Sequence, residues 1–153
     1  MARIANFPMN LLREHAQWHM DHMDETSPGE GVAFLDFHHG FIGQFHAWYD
    51  QQPGASQAAV APWNALPAAV VAHLQPAQAT ALAAIAADPT AFPTEDALGI
   101  AIHPLHDDIH VAAAVAFKEA GLGNPMKAPR FTEFWQLHGL IDGWRGRWLQ
   151  AHP

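Results

Sequence analysis

The sequence predicts an all-α protein, a four-helix bundle that holds a dinuclear metal site between its helices. Histidines recur with helical spacing in four apolar segments, as two pairs four residues apart and two single residues: His15/His19, His106/His110, His38 and His138. Residues four apart lie one above the other on a helix, so each pair can direct two imidazoles at one ion. Clusters of proline and glycine separate the segments and predict the loops between them.

Length and composition favour one soluble domain that spans residues 1–153. Half of the 153 residues are apolar, which is enough for one core. Seven basic against fifteen acidic residues give a net charge of −8, which argues against binding to nucleic acid or to an anionic membrane surface. No apolar run reaches the roughly 18 residues that span a bilayer, and Met1–Met20 lacks the uninterrupted apolar core of a signal peptide. We therefore expect a cytoplasmic protein.

The residue types limit the metal chemistry. The absence of cysteine excludes disulfides, thiolate zinc sites and iron–sulfur clusters. Twelve histidines make imidazole the abundant soft ligand, which suits copper, zinc and iron. A di-iron carboxylate bundle would require Glu-x-x-His motifs, and a zinc hydrolase would require H-E-x-x-H. Neither motif occurs in this chain.

Residues 8–49 are predicted to form the first helix pair. The first helix runs from residue 8 or 9 to residue 23, where a Ser-Pro-Gly loop ends it. One of its faces combines apolar and histidine side chains: Leu11, Leu12, His15, Trp18, His19 and His22. The second helix covers residues 32–49 and places His38 on its inner face. A single buried histidine is usually a hydrogen-bonded core residue, but three unpartnered imidazoles on one stripe would cost about 1–3 kcal/mol each, which favours a ligand role.

An alanine- and proline-rich connector, residues 50–103, is predicted to join the two helix pairs. Six prolines divide it into short pieces, of which residues 65–74 and 77–87 are expected to be helical. We expect the connector to wrap the bundle and to close the substrate side with small side chains.

Residues 104–150 are predicted to form the second helix pair. Pro104 suits the first turn of the third helix, where its missing N–H costs nothing, and this helix should extend to about residue 120. Thr132 is predicted to cap the last helix, which should end at about residue 150.

The metal ligands follow from these faces. Those predicted for the second ion are His106, His110 and His138. For the first ion, His38 is joined by two of the three histidines of the first helix. His15 and His19 are preferred because a pair four residues apart converges and repeats the spacing of the second site, and His22 stays open as an alternative.

Other polar residues are expected beside the ligands. His39, His46 and His103 are predicted to lie at the rim of the site. Asp142 comes one turn after His138, where it either accepts a hydrogen bond from a ligand imidazole or pairs with Arg145.

Three motifs resemble those of the type 3 copper proteins, the family of tyrosinases, catechol oxidases and haemocyanins. Leu105–His110 is similar to the family's L-H-N-x-[IV]-H, Phe134–Asp142 to F-x-L-H-H-x-x-[IV]-D, and Phe34–Ile42 to F-L-x-[WF]-H-R-x-[FY]-[LI]. They stand in the family's order and cover about a third of the chain. The chain departs from the family at four points: Asp107 replaces Asn, Leu137 replaces the first histidine of the doublet, His39 replaces Arg, and Phe131-Thr132 replaces Asp-Pro.

The resemblance implies an unusually short copper-dependent oxidase. Two copper ions would bind dioxygen, and the protein would hydroxylate phenols at the ortho position or oxidise catechols to quinones. Its partners would be dioxygen and a small phenolic or catecholic substrate. Apart from the resemblance, an exposed site in so small a domain makes a homodimer possible, which would cover the aromatic rim. One alternative is a non-enzymatic copper carrier or store, since the segment His19–Met23 can hold copper at a surface. Another is an oxygen carrier, which would share all six ligands.

Asp107 and Glu95 are the predicted catalytic residues. The family's Asn at the position of Asp107 is thought to help a base take the phenol proton, and an Asp there can accept the proton itself or act with Glu95 upstream. The competing interpretation is a helix-end acid, equivalent to its neighbour Asp108, that stabilises the helix by about 0.3–1 kcal/mol through the helix dipole.

Overall fold

The computed structural model describes residues 2–153, and this part of the chain is all-α, as predicted. Within these residues the only β-type pairing is an isolated bridge between Arg3 and Phe131. The helices are α1 (Met9–Asp21), α2 (Glu30–Tyr49), α3 (Gln57–Val60), α4 (Ala68–Val71), α5 (Pro76–Ala87), α6 (Glu95–Ala116) and α7 (Thr132–Ala151). Three 3₁₀ turns accompany them at Pro89–Ala91, Ala120–Gly123 and Ala128–Arg130.

The long helices α2 and α6 run in the same direction and lie against each other. Phe34 of α2 stacks on His103 of α6 with 4.5 Å between ring centroids. One turn later in both helices, His38 lies 5.3 Å from His106. The two helices therefore stay in register where they carry their histidines.

Helix α7 packs against α2 in the opposite direction. His38 faces His138, and Phe41, one turn further along α2, faces Phe134, one turn earlier in α7. Near the start of α7, Trp135 stacks on an aromatic ring of α2 with only 3.6 Å between centroids. Aromatic packing thus holds the end of α2 against the start of α7.

Two apolar clusters support these helices. The larger one surrounds α6 and includes side chains of the connector: Leu98, Ile102, Leu105, Ile109, Val70, Leu82 and Ile85. The smaller one joins the start of the chain to α2 and α7: Phe7, Leu11, Leu12, Phe41, Phe45, Tyr49, Phe134 and Trp135.

The start of α6 differs from the prediction. The helix begins at Glu95, nine residues before Pro104, which lies inside it. Thr94 caps the helix by accepting a hydrogen bond from the N–H of Ala97 at 3.0 Å. Pro104 removes one intrahelical hydrogen bond at a cost of about 3 kcal/mol, but the apolar side chains on both sides of it stay buried. Tertiary packing therefore overrides the local preference of proline for the first turn.

The start of α7 also differs from the prediction. Thr132 is the first helical residue, and the extended residue before it, Phe131, occupies the cap position without a side-chain hydrogen bond. The Thr132 hydroxyl instead donates to Glu133 at 3.1 Å and accepts from the N–H of Ala2 at 3.3 Å. It ties the start of the chain to α7.

The connector does not line the cavity beside the histidines, contrary to the prediction. Its residues Val70, Leu82 and Ile85 instead belong to the apolar cluster around α6. The wall beside the histidines is formed by the segment Leu122–Ala128 between α6 and α7. None of the helices in residues 2–153 combines the length and the apolar character needed to cross a bilayer.

Candidate metal centre

Six histidine side chains from four helices meet at one centre. They are all six of the predicted ligands: His15 and His19 of α1, His38 of α2, His106 and His110 of α6, and His138 of α7. The donor nitrogens of the first three lie within 4.8 Å of one another, and so do those of His38, His106 and His138. His110 has its ring centroid 4.5 Å from that of His106. Because His38 belongs to both groups, the structure forms one cluster rather than two separate trios.

Five of the six imidazoles are fixed through Nδ1. In four of them this nitrogen donates to a backbone carbonyl, which can only accept: His15 to Pro125 (3.0 Å), His38 to Phe34 (2.8 Å), His110 to Leu122 (3.0 Å) and His138 to Phe134 (2.7 Å). In the fifth, Nδ1 of His106 lies 2.8 Å from a carboxylate oxygen of Asp107. A neutral ring that carries its proton on Nδ1 has its lone pair on Nε2. Such acceptors hold metal-ligating histidines in place in other proteins.

The Nε2 atoms have no ordinary partners. Those of His15, His19, His38 and His110 are buried without a hydrogen bond. Nε2 of His106 lies 3.0 Å from Nε2 of His138, and while Asp107 is ionised neither of these nitrogens carries a proton to give the other. Two imidazole nitrogens that bind one tetrahedral ion at about 2.0 Å lie about 3.3 Å apart, so a cation between them would explain this approach. The donor atoms therefore fit a metal and fit a hydrogen-bonded core poorly.

Burial keeps these histidines neutral. It lowers the pKa of His15 and of His19 to about 3 and that of His110 to about 4. The pKa values of the other three histidines of the centre are also well below 6.5, first because of burial and then because of neighbouring imidazoles. Neutral imidazole is the form that binds metal, so the centre is ready to do so at neutral pH.

No known protein family, curated protein or solved structure matches this chain. What the centre can do therefore follows from its own atoms.

A small cavity opens beside the histidines. Its volume is about 160 Å³, and four of the histidines share its lining with an apolar wall that includes Val111, Leu122, Pro125 and Ala128. Val111 is 60% exposed, which marks the side where the cavity meets solvent. A small molecule that reaches this cavity would touch the histidines directly.

Asp107, which lines this cavity, forms an acidic pair with Glu25. The carboxylate of Asp107 lies with His19 and His106 in a third group of donor atoms within 4.8 Å of one another. Its side chain is half exposed, yet partial burial and then the negative charge of Glu25 raise the pKa of Asp107 to about 7. Burial also raises the pKa of Glu25, to which Asp107 is hydrogen-bonded. A carboxyl group that titrates near neutrality can exchange a proton at the cavity.

Glu95 does not meet Asp107. It accepts a hydrogen bond from Nε of Arg145 at 2.6 Å, and Asp36 accepts a second one from the same guanidinium. Glu95 precedes Asp107 by about 18 Å along α6, because a helix rises 1.5 Å per residue. The predicted joint action of the two acids is therefore wrong, and Glu25 takes the place beside Asp107.

The alternative ligand His22 lies outside the cluster. It stacks on Trp18 with 4.4 Å between centroids, and its Nδ1 lies 2.7 Å from Glu30. Asp142 bonds to His39 at 2.8 Å, so neither of its two predicted partners is correct.

Of the histidines expected at the rim, His39 is exposed and His46 lies 3.9 Å from Asp50 at the surface. His103, by contrast, is fully buried on α6 and has no partner for either ring nitrogen. Its prediction as a rim residue is wrong because α6 begins before it.

Sequence reasoning missed the groups that orient the ligands. The carbonyl oxygens of Leu122 and Pro125 belong to a loop, and every residue has a carbonyl, so no pattern marks them. Glu25 lies in the loop between α1 and α2, where only the fold brings it to Asp107. The acceptor role of Asp107 toward His106 did have a signal, since the two residues are adjacent.

Proposed function

We propose that this chain is a copper-dependent oxidase of the type 3 copper kind. The six clustered histidines would hold two copper ions, and the cavity beside them would receive a small phenol or catechol. The observation that carries the proposal is the set of imidazoles with anchored Nδ1 atoms and unpartnered Nε2 lone pairs. Each buried polar atom without a partner costs about 1–3 kcal/mol, and a bound cation removes that cost.

Six donors favour two ions over one. Imidazole-bound copper and zinc usually take three or four protein ligands, so a single ion would leave part of the cluster unused. Three histidines per ion keep one position open for an exogenous molecule. The motifs that resemble the type 3 copper family support copper as the metal.

The chain's own residues have separate tasks in this proposal. When bound, the copper pair would supply dioxygen binding and the oxidising power for ortho hydroxylation or catechol oxidation. The Nδ1 anchors hold the imidazoles in place, and the apolar wall at Leu122 and Pro125 limits access of water. Asp107 accepts the proton of the phenol hydroxyl, since its pKa of about 7 suits a base at neutral pH.

A non-enzymatic copper or oxygen carrier would use the same six ligands. The acidic pair at the cavity favours an enzyme, because a carrier does not require a carboxyl that titrates near neutrality. Oxidation of a catechol by the copper-loaded protein distinguishes the two functions.

Copper analysis of the loaded protein tests the proposal. We expect about two equivalents per chain for the wild type and about one for His110→Ala or for His138→Ala. His73→Ala is the matched control, because His73 is exposed on the connector and should leave both equivalents in place. Loading should be accompanied by dioxygen uptake in the presence of a catechol.

Two results would contradict the proposal. Full copper retention by both ligand variants would show that the metal binds elsewhere. Two bound copper ions without any oxidation of catechols or phenols would exclude the oxidase and favour the copper or oxygen carrier.

A further inference from the structure

A second group of soft metal donors lies beside the histidine centre and takes no part in it. Met20 and Met23 are 60% and 81% exposed, although burial of such side chains is favourable. Both line a surface cavity of about 270 Å³ together with His22. Thioether and imidazole are donors that copper(I) prefers.

His22 has the geometry of a metal ligand. Its Nδ1 lies 2.7 Å from a carboxylate oxygen of Glu30, which can only accept when ionised, so Nδ1 carries the proton and Nε2 the lone pair. Its ring stacks on Trp18 at an interplanar angle of 12°. A carboxylate behind Nδ1 and a packed ring orient histidine ligands at metal sites.

The surface cavity and the cavity of the centre share three lining residues. His19, Asp107 and Pro125 line both of them. Among the six histidines, His19 alone is only partly buried, and its Nε2 is itself buried without a partner. His19 therefore joins the surface cavity to the cavity of the centre.

We propose that Met20, His22 and Met23 form a copper(I) acquisition site that passes the ion to His19. The ion stays copper(I) throughout, and a copper–sulfur bond breaks as a copper–nitrogen bond forms, so the transfer requires no oxidant or reductant. Glu25, Asp107 and the net charge of −8 attract the cation to this side. Binding at the surface is independent of the proposed function, whereas delivery to the centre rests on it.

The test is a titration of the metal-free chain with copper(I), without oxygen and in competition with a chromogenic copper(I) chelator. X-ray absorption identifies sulfur ligands at each stage. We expect about three equivalents in the wild type, the weakest of them bound through sulfur. The double variant Met20→Leu/Met23→Leu should bind about two equivalents of copper(I), neither of them through sulfur. Copper should also fill the histidine centre about tenfold more slowly, which is the low end of the effect of weakening a metal site.

Met9→Leu is the control, because Met9 is exposed on the same helix and lies outside the cavity. It should behave as the wild type. One sulfur-bound equivalent in the wild type and none in the double variant would uphold the acquisition site while the copper centre itself fails. The acquisition site would be overturned if the wild type and the double variant bound the same number of copper(I) equivalents at the same rate and neither showed a sulfur ligand.

Discussion

Gly31 and Gly99 bring α2 and α6 into backbone contact. A Cβ atom on Gly99 would lie 2.1 Å from the backbone oxygen of Gly31, and one on Gly31 would lie 2.1 Å from the backbone oxygen of Asp96. Each glycine lies about two helical turns before a histidine of the centre, His38 in α2 and His106 in α6. The contact therefore sets the distance between helices that supply ligands to the same cluster.

Gly99→Ala is expected to lower the free energy of unfolding by about 3 kcal/mol, because the methyl group meets backbone that cannot move without separating the helices. Gly43→Ala is the matched control on α2, since a Cβ there meets nothing within 4 Å. It should raise stability by about 0.5–1 kcal/mol. Urea unfolding measures both changes, and a neutral Gly99→Ala would show that the two helices are farther apart.

The metal-free protein is expected to lose stability as pH falls below about 6.5. The folded-state pKa values of His15 and His110 are lowered to about 3 and about 4, so the unfolded chain binds more protons in this window. Between pH 6.5 and its folded-state pKa, each histidine that stays neutral lowers the free energy of unfolding by about 1.4 kcal/mol for every unit by which the pH falls. Urea midpoints at pH 7, 6 and 5 should fall steeply.

His103→Leu provides the comparison for this slope. His103 is fully buried without partners, and burial lowers its pKa to about 4. Its replacement should flatten the pH dependence and raise stability at pH 7 by about 1 kcal/mol, since two unpaired nitrogens are removed. The exposed His73 should have no effect when replaced by Ala. A steeper fall of stability with falling pH in His103→Leu would contradict the lowered pKa of His103.

Glu95→Gln is expected to destabilise the protein without changing the proposed oxidase activity. Arg145 is only 11% exposed in its side chain, and loss of the carboxylate leaves its guanidinium poorly paired. The expected loss is about 1–3 kcal/mol in the free energy of unfolding. Asp36→Asn is the control at the same arginine, because Asp36 is 62% exposed and should contribute less than about 1 kcal/mol. A selective loss of activity in Glu95→Gln would restore its catalytic role.

Asp107→Asn is expected to slow the proposed monophenol hydroxylation by about 10²–10⁴ and the proposed catechol oxidation far less, because the amide cannot accept the phenol proton. The amide oxygen can still accept the hydrogen bond of His106, so copper occupancy should not change. Steady-state rates on a monophenol and its matching catechol measure the difference. Asp108→Asn should alter both rates little, because the charge of Asp108 is the smallest of the causes that raise the pKa of Asp107.

Glu25→Gln supplies a second measurement of the same role. Removal of its negative charge should lower the pKa of Asp107 and shift the acid limb of the hydroxylation profile to lower pH. An unshifted pH profile of hydroxylation in Glu25→Gln would contradict the role of Asp107 as a base. Equal losses of rate on both substrates in Asp107→Asn would do the same and would leave Asp107 only as the hydrogen-bond acceptor of His106.

Local spacing determined the features that depend on one helix at a time. Successive residues of a helix are rotated by about 100°, so the side chains that share a face can be identified in the sequence. The paired histidines and the apolar stripe around them predicted the helical segments and six candidate ligands, and these six side chains lie in one cluster. The preference for His15 and His19 over His22 followed from the same spacing, and the structure places the first two in the cluster and His22 outside it.

Tertiary packing decided what joins one element to another. Pro104 lies within α6 because burial of Ile102 and Leu105 on either side outweighs the lost hydrogen bond. The helix therefore starts early enough to bury His103, which local rules place at a rim.

The orientation of the ligands likewise required the folded chain. The loop carbonyls that anchor His15 and His110, and the approach of Glu25 to Asp107, join residues far apart in sequence. Backbone carbonyls are common to every residue, and a carboxylate in a loop has no periodicity that would identify its partner. Such contacts depend on how helices and loops pack, which spacing along one segment does not specify.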